Sequence, residues 1–583
     1  MRELSALVSL FVLSVAQGKN DNVMNKFICS QGKCIQASMN PSDRVRYDSL
    51  DLCRLICSGH GNLWPIPTVT FDLGHMVMEV DPSKIQVVLE SAPVQTREYI
   101  RKISDIFFAR LYSQCANTTT RALTSVHIHM RVISPSTELK LLTDESYKLS
   151  IKNYGKNIEV EINATTVFGT RHALETLLQL TATQYKNKRC VILMLTKADI
   201  KDRPVFRHRG LLIDTSRTFL PLADIERTID GMSSVKLNVL HWHATDTHSF
   251  PLAFDTLPQL AELGAYSSKE VYTTKDMKHV IEYGKLRGVR VLLEIDSPGH
   301  AGNGWQFGEK NGLGKLSLCV NKEPWRRYCV QPPCGQMNPA NPNLYRVLGQ
   351  MYKEISTMFQ QEMFHMGGDE VHLPCWMASD EVLKYMDEHR IPRTEDGYMT
   401  LWAEFHGKAL NAWDRAVGHS HTRPVLWSSQ LTSPERITDY LDPKRYIIET
   451  WADANDPLPE DLISKGYSVI YATRDVWYLD HGFWGQTTYH NWAKVYDYQI
   501  PLDYSVLGGE ACMWGELAST YNFDMKVWPR AAALAERLWS SPPIKSMDAK
   551  YRLIAQVGRL FKLGINADQI MPEWCSLNEG RCE

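Results

Sequence analysis

The segment His365-Met366-Gly367-Gly368-Asp369-Glu370 concentrates more chemistry than any other in the chain. Two glycines let backbone and ligand approach closely, and two adjacent carboxyl groups follow. Neighbouring negative charges push their pKa values apart, so one acid keeps its proton while the other ionises. That division suits glycosidic cleavage, in which an acid protonates the leaving oxygen and another group stabilises an oxocarbenium-like centre. An isolated Asp-Glu pair is better read as a metal-binding or helix-capping pair. Here the surroundings change the odds. Trp427, Trp451 and Trp514 offer flat apolar walls for sugar faces, and Arg217, Asp480 and Glu516 can grip hydroxyls. The rival chemistry is a metal-dependent hydrolase built on His241-Trp242-His243, a His-x-His with carboxylates nearby. That motif lies on the second apolar run of its domain rather than the first, and the last run ends in Trp514-Gly515-Glu516 with no obvious ligand set. No metal and no cofactor is expected.

Those residues need elements to position them. Eight short apolar runs recur with helical segments between: Gly210–Ile213, Leu237–Leu240, Val289–Leu293, Met363–Met366, Pro424–Leu426, Tyr446–Ile448, Ser468–Tyr471 and Ser505–Gly508. Eight strand–helix units predict an α/β fold, a (β/α)8 TIM barrel over 204–583, with its site at the C-terminal strand ends. The residues after each run should therefore converge: Asp214 and Arg217; His241, His243 and Asp246; Glu294, Asp296 and His300; Asp369 and Glu370; then Trp427, Trp451, Tyr478, Asp480, Glu510, Trp514 and Glu516. Residues 64–203 mix β-type runs (Thr68–Phe71, Ile85–Leu89, Val126–Val132, Ile158–Ile162) with helices over Glu98–Leu111 and Gly169–Gln184. They form a small α+β accessory domain without chemistry of its own, ending near Asp202-Arg203-Pro204.

The chain has 583 residues, of which 44% are hydrophobic and 22% charged, and a net charge of −2. Whole-chain electrostatics thus gives no reason to expect nucleic acid or anionic membrane as partner. Arg2, the apolar Leu4–Ala16 and the small-x-small Ala16-Gln17-Gly18 read as a signal peptide over 1–18. No later stretch is long and apolar enough to span a membrane, so a secreted, extracellular or lysosomal lumenal protein is expected, in which disulfides are permitted. Of 13 cysteines, Cys29, Cys34, Cys53 and Cys57 share the Cys-rich segment 19–63, where near-ligand spacings make zinc the competitor of disulfides. Cys329 and Cys334 close a small loop with Cys319 and Cys375 nearby, and Cys575 and Cys582 can staple the C-terminal end. Whether Cys115 and Cys190 pair is left open, and Cys512, inside an apolar run, is read as a buried free thiol. Sequons stand at Asn117 and Asn163.

His-x-Gly-Gly-Asp-Glu, the upstream His241-Trp242-His243-x-x-Asp246 and the downstream Gly508-Gly509-Glu510-Ala511-Cys512-Met513-Trp514-Gly515-Glu516 resemble glycoside hydrolase family 20, the β-N-acetylhexosaminidases. The N-terminal cysteines and Leu63-Trp64-Pro65 are similar to its secreted insect members, which act on chito-oligosaccharides. The resemblance implies an exo-acting, retaining enzyme that removes terminal non-reducing GlcNAc or GalNAc through an oxazolinium intermediate. It implies Glu370 as acid/base and Asp369 as the residue that orients the 2-acetamido group. Arg217 would clamp the 3- and 4-hydroxyls with Glu516 beside it. Trp427, Trp451 and Trp514 would wall the pocket, Tyr478 would bond the acetamide oxygen and Asp480 the outer hydroxyls. Asp246 and His300 would support the acid/base. Pairing of family members through their barrels implies a homodimer. A β-GlcNAc-terminated oligosaccharide is the implied partner.

Three departures concern the entrance. His481 follows Asp480 where a sulfate-accepting variant would carry Arg or Lys, and Asp480 should itself repel a 6-sulfated sugar. The stretch from His481 through Trp484 to Trp492 lacks the cysteine pair of the insect members, and Gln331, beside Val330, replaces an acidic residue there. Val330, Gln331, Trp484 and Trp492 would line the aglycone side. These departures leave open chito-oligosaccharides against N-glycan ends as substrate. A non-hydrolytic sugar-binding protein on the same scaffold would show a damaged catalytic pair, and Asp369-Glu370 is intact.

Overall fold

Eight parallel strands close on themselves: β1 (His208–Asp214), β2 (Val239–His243), β3 (Arg290–Glu294), β4 (Met363–His365), β5 (Arg423–Trp427), β6 (Ile447–Thr450), β7 (Ser468–Tyr471) and β8 (Val506–Met513). The computed structural model describes residues 26–37, 46–115, 122–186, 189–484 and 488–583; the signal-peptide expectation and the Asn117 sequon fall outside them. All eight expected runs are barrel strands, and helices between and after them form the outer ring. Closure is made by β1 against β8, in register from His208↔Gly508 to Ile213↔Met513. Gly508 has φ +144°, and a Cβ there would lie 1.8 Å from the His208 carbonyl, so only glycine lets the strands meet. A short strand, Tyr478–Asp480, adds to the upper end of β8. Three residues directly after a one-turn helix, Arg474–Trp477, are too few to show a strand period.

The barrel interior is layered. Val239, Leu292, Met363, Val425, Ile447, Ile470 and Leu507 fill its lower end, and Leu141 of the accessory domain stoppers them from below. Above lie His208, His241, Glu294, His365, Glu449 and Glu510, none exposed to solvent. Buried ionisable groups need partners, and His208, Glu510, His241 and Glu294 form a ladder with His243. His208 meets Glu510 at 2.9 Å, Glu510 meets His241 at 2.6 Å, His241 meets Glu294 at 3.0 Å, and Glu294 meets His243 at 2.6 Å. The top layer is aromatic: Trp427, Tyr478 and Trp514, with Leu212, Cys512 and half-buried Trp451.

The accessory domain is a six-stranded sheet with Val94–Ser113 and Val167–Gln179 as its helices. The second helix stops at Gln179, and Thr181–Lys186 is a strand paired with Arg189–Leu195, where the sequence reading continued the helix to Gln184. Thr181 and Thr183 are β-branched and favour the strand once a partner is available. Glu145 locks this domain to the barrel, with its oxygens 2.7 and 3.0 Å from the Arg209 guanidinium, and Lys236 meets Asp202 at 2.9 Å. Asn163 stands half-buried on the strand Asn157–Ala164, alternating with buried Ile162 and Ala164.

Disulfides join Cys29 to Cys57, Cys34 to Cys53, Cys115 to Cys190, Cys319 to Cys375, Cys329 to Cys334 and Cys575 to Cys582. Cys512 is a buried free thiol. The C-terminal turn comes back to the Cys-rich segment, where Glu579 takes the Arg54 guanidinium at 2.7 Å. Among the described residues no helix is long and apolar enough to cross a membrane.

Candidate active site

A cleft of about 630 Å³ opens at the C-terminal ends of the strands, lined by Arg217, His300, Asp369, Glu370, Trp451, Tyr478, Trp514 and Glu516 among others. The turn after β4 sets the carboxyl pair. Gly367 has φ +64°, and a Cβ on it would sit 1.8 Å from Asp296 Oδ1. The Gly368 N–H donates to that oxygen at 2.9 Å, so the two glycines fold the backbone onto Asp296. Glu370 follows with φ +47°, a strained value that aims its side chain into the cleft mouth.

His300 binds the pair from beneath. Its Nε2 lies 3.3 Å from Glu370 Oε2 and 3.7 Å from Asp369 Oδ2, while Nδ1 meets Asp246 Oδ2 at 3.2 Å. Burial opposes a charge on His300, but Asp246, Asp369 and Asp296 outweigh it and raise its pKa well above the ordinary value. Burial raises the Asp369 pKa, and the Glu370 and Glu294 charges add to that. Burial also works against the Glu370 anion, but the His300 hydrogen bond and charge prevail and lower its pKa. The two acids are split as adjacency demands. In the ligand-free site the proton favours Asp369, because the imidazolium stands closer to Glu370.

Asp296, directly under Asp369, is raised well above the ordinary value by burial and the Asp369 charge. Arg217 is held by Asp246 at 2.8 Å and Asp214 at 3.2 Å, with its guanidinium carbon 5.2 Å from the Trp514 ring centre. Burial opposes its charge, and Asp246, Asp214 and Glu516 overcome it and raise its pKa. Burial pushes Glu516 upward against the pull of Arg217. Trp451 donates from Nε1 to the Ser428 carbonyl at 2.7 Å, and Trp427 donates to Glu294 at 2.7 Å from below the cleft.

Not every expected residue reaches the lining. The Asp480 carboxylate is taken by Lys526 and by the His481 N–H at 3.0 Å, which leaves it just behind the wall. Trp492 starts the helix Trp492–Asp497, packs half-buried on the barrel core beside Tyr496 and is not among the residues lining the cleft. Val330, Gln331 and Trp484 do border the cleft. Arg474 was not foreseen. It pairs with Asp453 through two 3.0 Å bonds and lies 5.7 Å from the Trp451 ring centre; a four-residue helix gave no pattern to find it by. The His-x-His is used inside the barrel: His243 lies 2.6 Å from Glu294 and 3.1 Å from Asp246, and His241 is raised to about 9, burial being outweighed by Glu510 and Glu294.

The sequence profile described as glycosyl hydrolase family 20, catalytic domain, matches residues 206–542. The chain belongs to glycosyl hydrolase family 20. A second profile, described as beta-acetyl hexosaminidase like, matches residues 63–180. This family 20 chain is 37% identical over 593 aligned residues to the chitooligosaccharidolytic beta-N-acetylglucosaminidase of Ostrinia furnacalis, covering 99% of this chain and 98% of that protein. The Bombyx mori protein of the same name is 36% identical, with 96% and 95% covered. Among solved structures, the Flavobacterium johnsoniae chitobiase superposes with a TM-score of 0.69 at 26% identity, covering 86% of this chain and 73% of the other. The family 20 chain is thus a glycoside hydrolase of the β-N-acetylhexosaminidase type.

Proposed function

We propose that this family 20 enzyme removes single terminal β-linked GlcNAc residues from chito-oligosaccharides, using the substrate's own acetamide as nucleophile. The observation that carries this reading is Asp369 and Glu370 side by side above His300, in a cleft bordered by Trp451, Trp514 and Tyr478. In the first step the acetamide oxygen bonds to the anomeric carbon and the glycosidic C–O bond breaks. Glu370 gives its proton to the leaving oxygen. The nucleophile is already tethered, so Asp369 needs only to hold the acetamide N–H in place. That N–H favours the Asp369 anion, and the shared proton moves to Glu370, where it is needed. Binding therefore reverses the preference of the ligand-free site. In the second step water bonds to the anomeric carbon, the oxazolinium opens, and the water proton returns to Glu370.

Arg217 is expected to clamp the outer hydroxyls, and Glu516 to receive or donate beside it. Val330, Gln331 and Trp484 at the cleft border support an aglycone site for a further sugar. The names of the Ostrinia and Bombyx relatives support chito-oligosaccharides over N-glycan ends. Six disulfides support secretion. Release of the phenol from an aryl β-GlcNAc by the wild type, and loss of chitobiose hydrolysis in Glu370→Gln, test the reaction. A higher kcat/KM on chitobiose than on a GlcNAc-ended biantennary glycan tests the substrate. No release from the aryl glycoside sinks the first claim, and the reverse preference sinks the second.

A further inference from the structure

We infer that Gln336 holds a water molecule behind Glu370 and that this site supplies the water of the second step; the inference rests on the mechanism proposed above. A small cavity adjoins the cleft at Glu370, sharing His300, Val330, Gln331 and Glu370 with it and reaching Thr247 and Gln336. It offers about 20 Å³ to a water-sized sphere. Roughly 10–15 Å³ suffices for one water, which also needs two to four polar partners.

Gln336 gives that cavity its direction. The side chain is buried, and its Oε1 accepts the His372 backbone N–H at 2.8 Å. A backbone N–H must face the oxygen, which settles the amide orientation and leaves Nε2 as the group turned elsewhere. Nε2 is buried and has no hydrogen-bond partner among the described residues. A buried donor of this kind is costly unless water meets it.

The frame around Gln336 is fixed. Gln336–Met337 pairs with Ser317–Leu318, and the Met337 N–H donates to the Pro298 carbonyl at 2.8 Å. Pro298 is two residues from His300, so the loop carrying the Glu370 partner and the strand carrying Gln336 are tied together. The Cys329–Cys334 loop closes the cavity on one side. A water donated to by Nε2 keeps its own hydrogens free for the Glu370 carboxylate. When the aglycone leaves, that water enters from behind the acid/base without waiting for the cleft mouth to clear. Its oxygen bonds to the anomeric carbon, the bond from that carbon to the acetamide oxygen breaks, and its proton passes to Glu370. Gln336 is thus a positioning residue.

The test is the partition of the intermediate between water and added methanol, read as methyl glycoside against free GlcNAc from an aryl β-GlcNAc. Gln336→Met removes the donor at similar length, and Gln336→Glu keeps the acceptor for His372 while replacing the donor. In both, the share transferred to methanol should rise roughly three- to tenfold, the factor a neutral hydrogen bond is worth. KM should stay near the wild-type value. An unchanged partition in a folded variant overturns the inference. If neither variant folds, a high-resolution crystal structure of the wild type decides: a water within hydrogen-bond distance of Gln336 Nε2 supports it, and a dry cavity overturns it. A wild type that releases no phenol sinks the mechanism instead, so the two failures are distinct.

Discussion

His300 Nε2 stands 3.3 Å from Glu370 Oε2, and this one contact decides where the catalytic proton rests before substrate arrives. Catalysis needs one proton on the Asp369/Glu370 pair. Burial and neighbouring charge raise the Asp369 pKa, so the pair loses that proton only above the ordinary carboxylate range. The Glu370 pKa is lowered chiefly by His300, against burial, so a second proton is taken up only below that range. The expected kcat/KM profile is a broad plateau, falling on the alkaline side as Asp369 releases its proton and on the acid side as Glu370 gains one. The apparent values belong to the pair. His300→Asn should raise the pKa of both Glu370 and Asp369, because the imidazolium lowers each, and move the acid and alkaline limbs upward. A variant profile with both limbs unmoved would count against the role of His300.

Replacing the acids separates their tasks. Glu370→Gln removes proton donation and is expected to lower kcat on chitobiose by roughly 10²–10⁴-fold, the usual contribution of general acid–base catalysis. The loss should shrink for aryl leaving groups that depart without a proton. Asp369→Ala leaves the acetamide unheld, so its loss should persist whatever the leaving group. Measuring kcat across a series of aryl glycosides tells the two patterns apart; equal slopes in both variants would remove the distinction.

Much of this was legible because strands and chemistry coincide. Each of the eight apolar runs is a barrel strand, and the residues after them meet at one mouth, since a parallel barrel puts every C-terminal strand end on the same side. What escaped notice depends on contacts no local pattern records. Asp480 follows an apolar pair like the other site residues, yet Lys526, distant in sequence, claims its carboxylate. Trp492 has the right residue type near the entrance, but it packs half-buried on the barrel core. Gln336 is one glutamine in a two-residue strand until the His372 N–H fixes its amide.

The accessory domain stabilises the barrel through an apolar side chain as well as through Glu145 and Asp202. Leu141 caps the lower apolar layer of the barrel, and its backbone N–H donates to Glu362 at 2.9 Å. Leu141→Ala is expected to cost about 2–3 kcal/mol, the lower part of the range for buried Leu→Ala, and to lower Tm while leaving kcat/KM unchanged. Thermal unfolding and steady-state kinetics on the same preparation check both halves. An unchanged Tm would mean that the layer closes without its stopper.

Lys526 alters what Asp480 does to charged sugars. With the ammonium against it, Asp480 presents less negative charge to the cleft than its sequence neighbourhood suggests. Lys526→Met should expose that charge and sharpen discrimination against 6-sulfated GlcNAc, while Asp480→Asn should relax it. The ratio of kcat/KM for plain and 6-sulfated aryl GlcNAc is the measurement. Ratios moving the same way in both variants would show that the Asp480 charge is not felt by the sugar's outer rim through the wall.

Trp484 is an exposed aromatic at the entrance, 39% accessible, with its ring centre 5.8 Å from that of His248. An aromatic face left open at a cleft border gains by covering a sugar, and aromatic pairs, worth about 0.5–1.5 kcal/mol beyond the area they bury, set the scale for such a contact. Trp484→Ala is therefore expected to lower kcat/KM on chitotriose by roughly 2- to 13-fold, mostly through KM. A β-GlcNAc with a methyl aglycone cannot reach the ring and should be turned over as before. Equal losses on both substrates would mean that Trp484 supports the pocket rather than the second sugar.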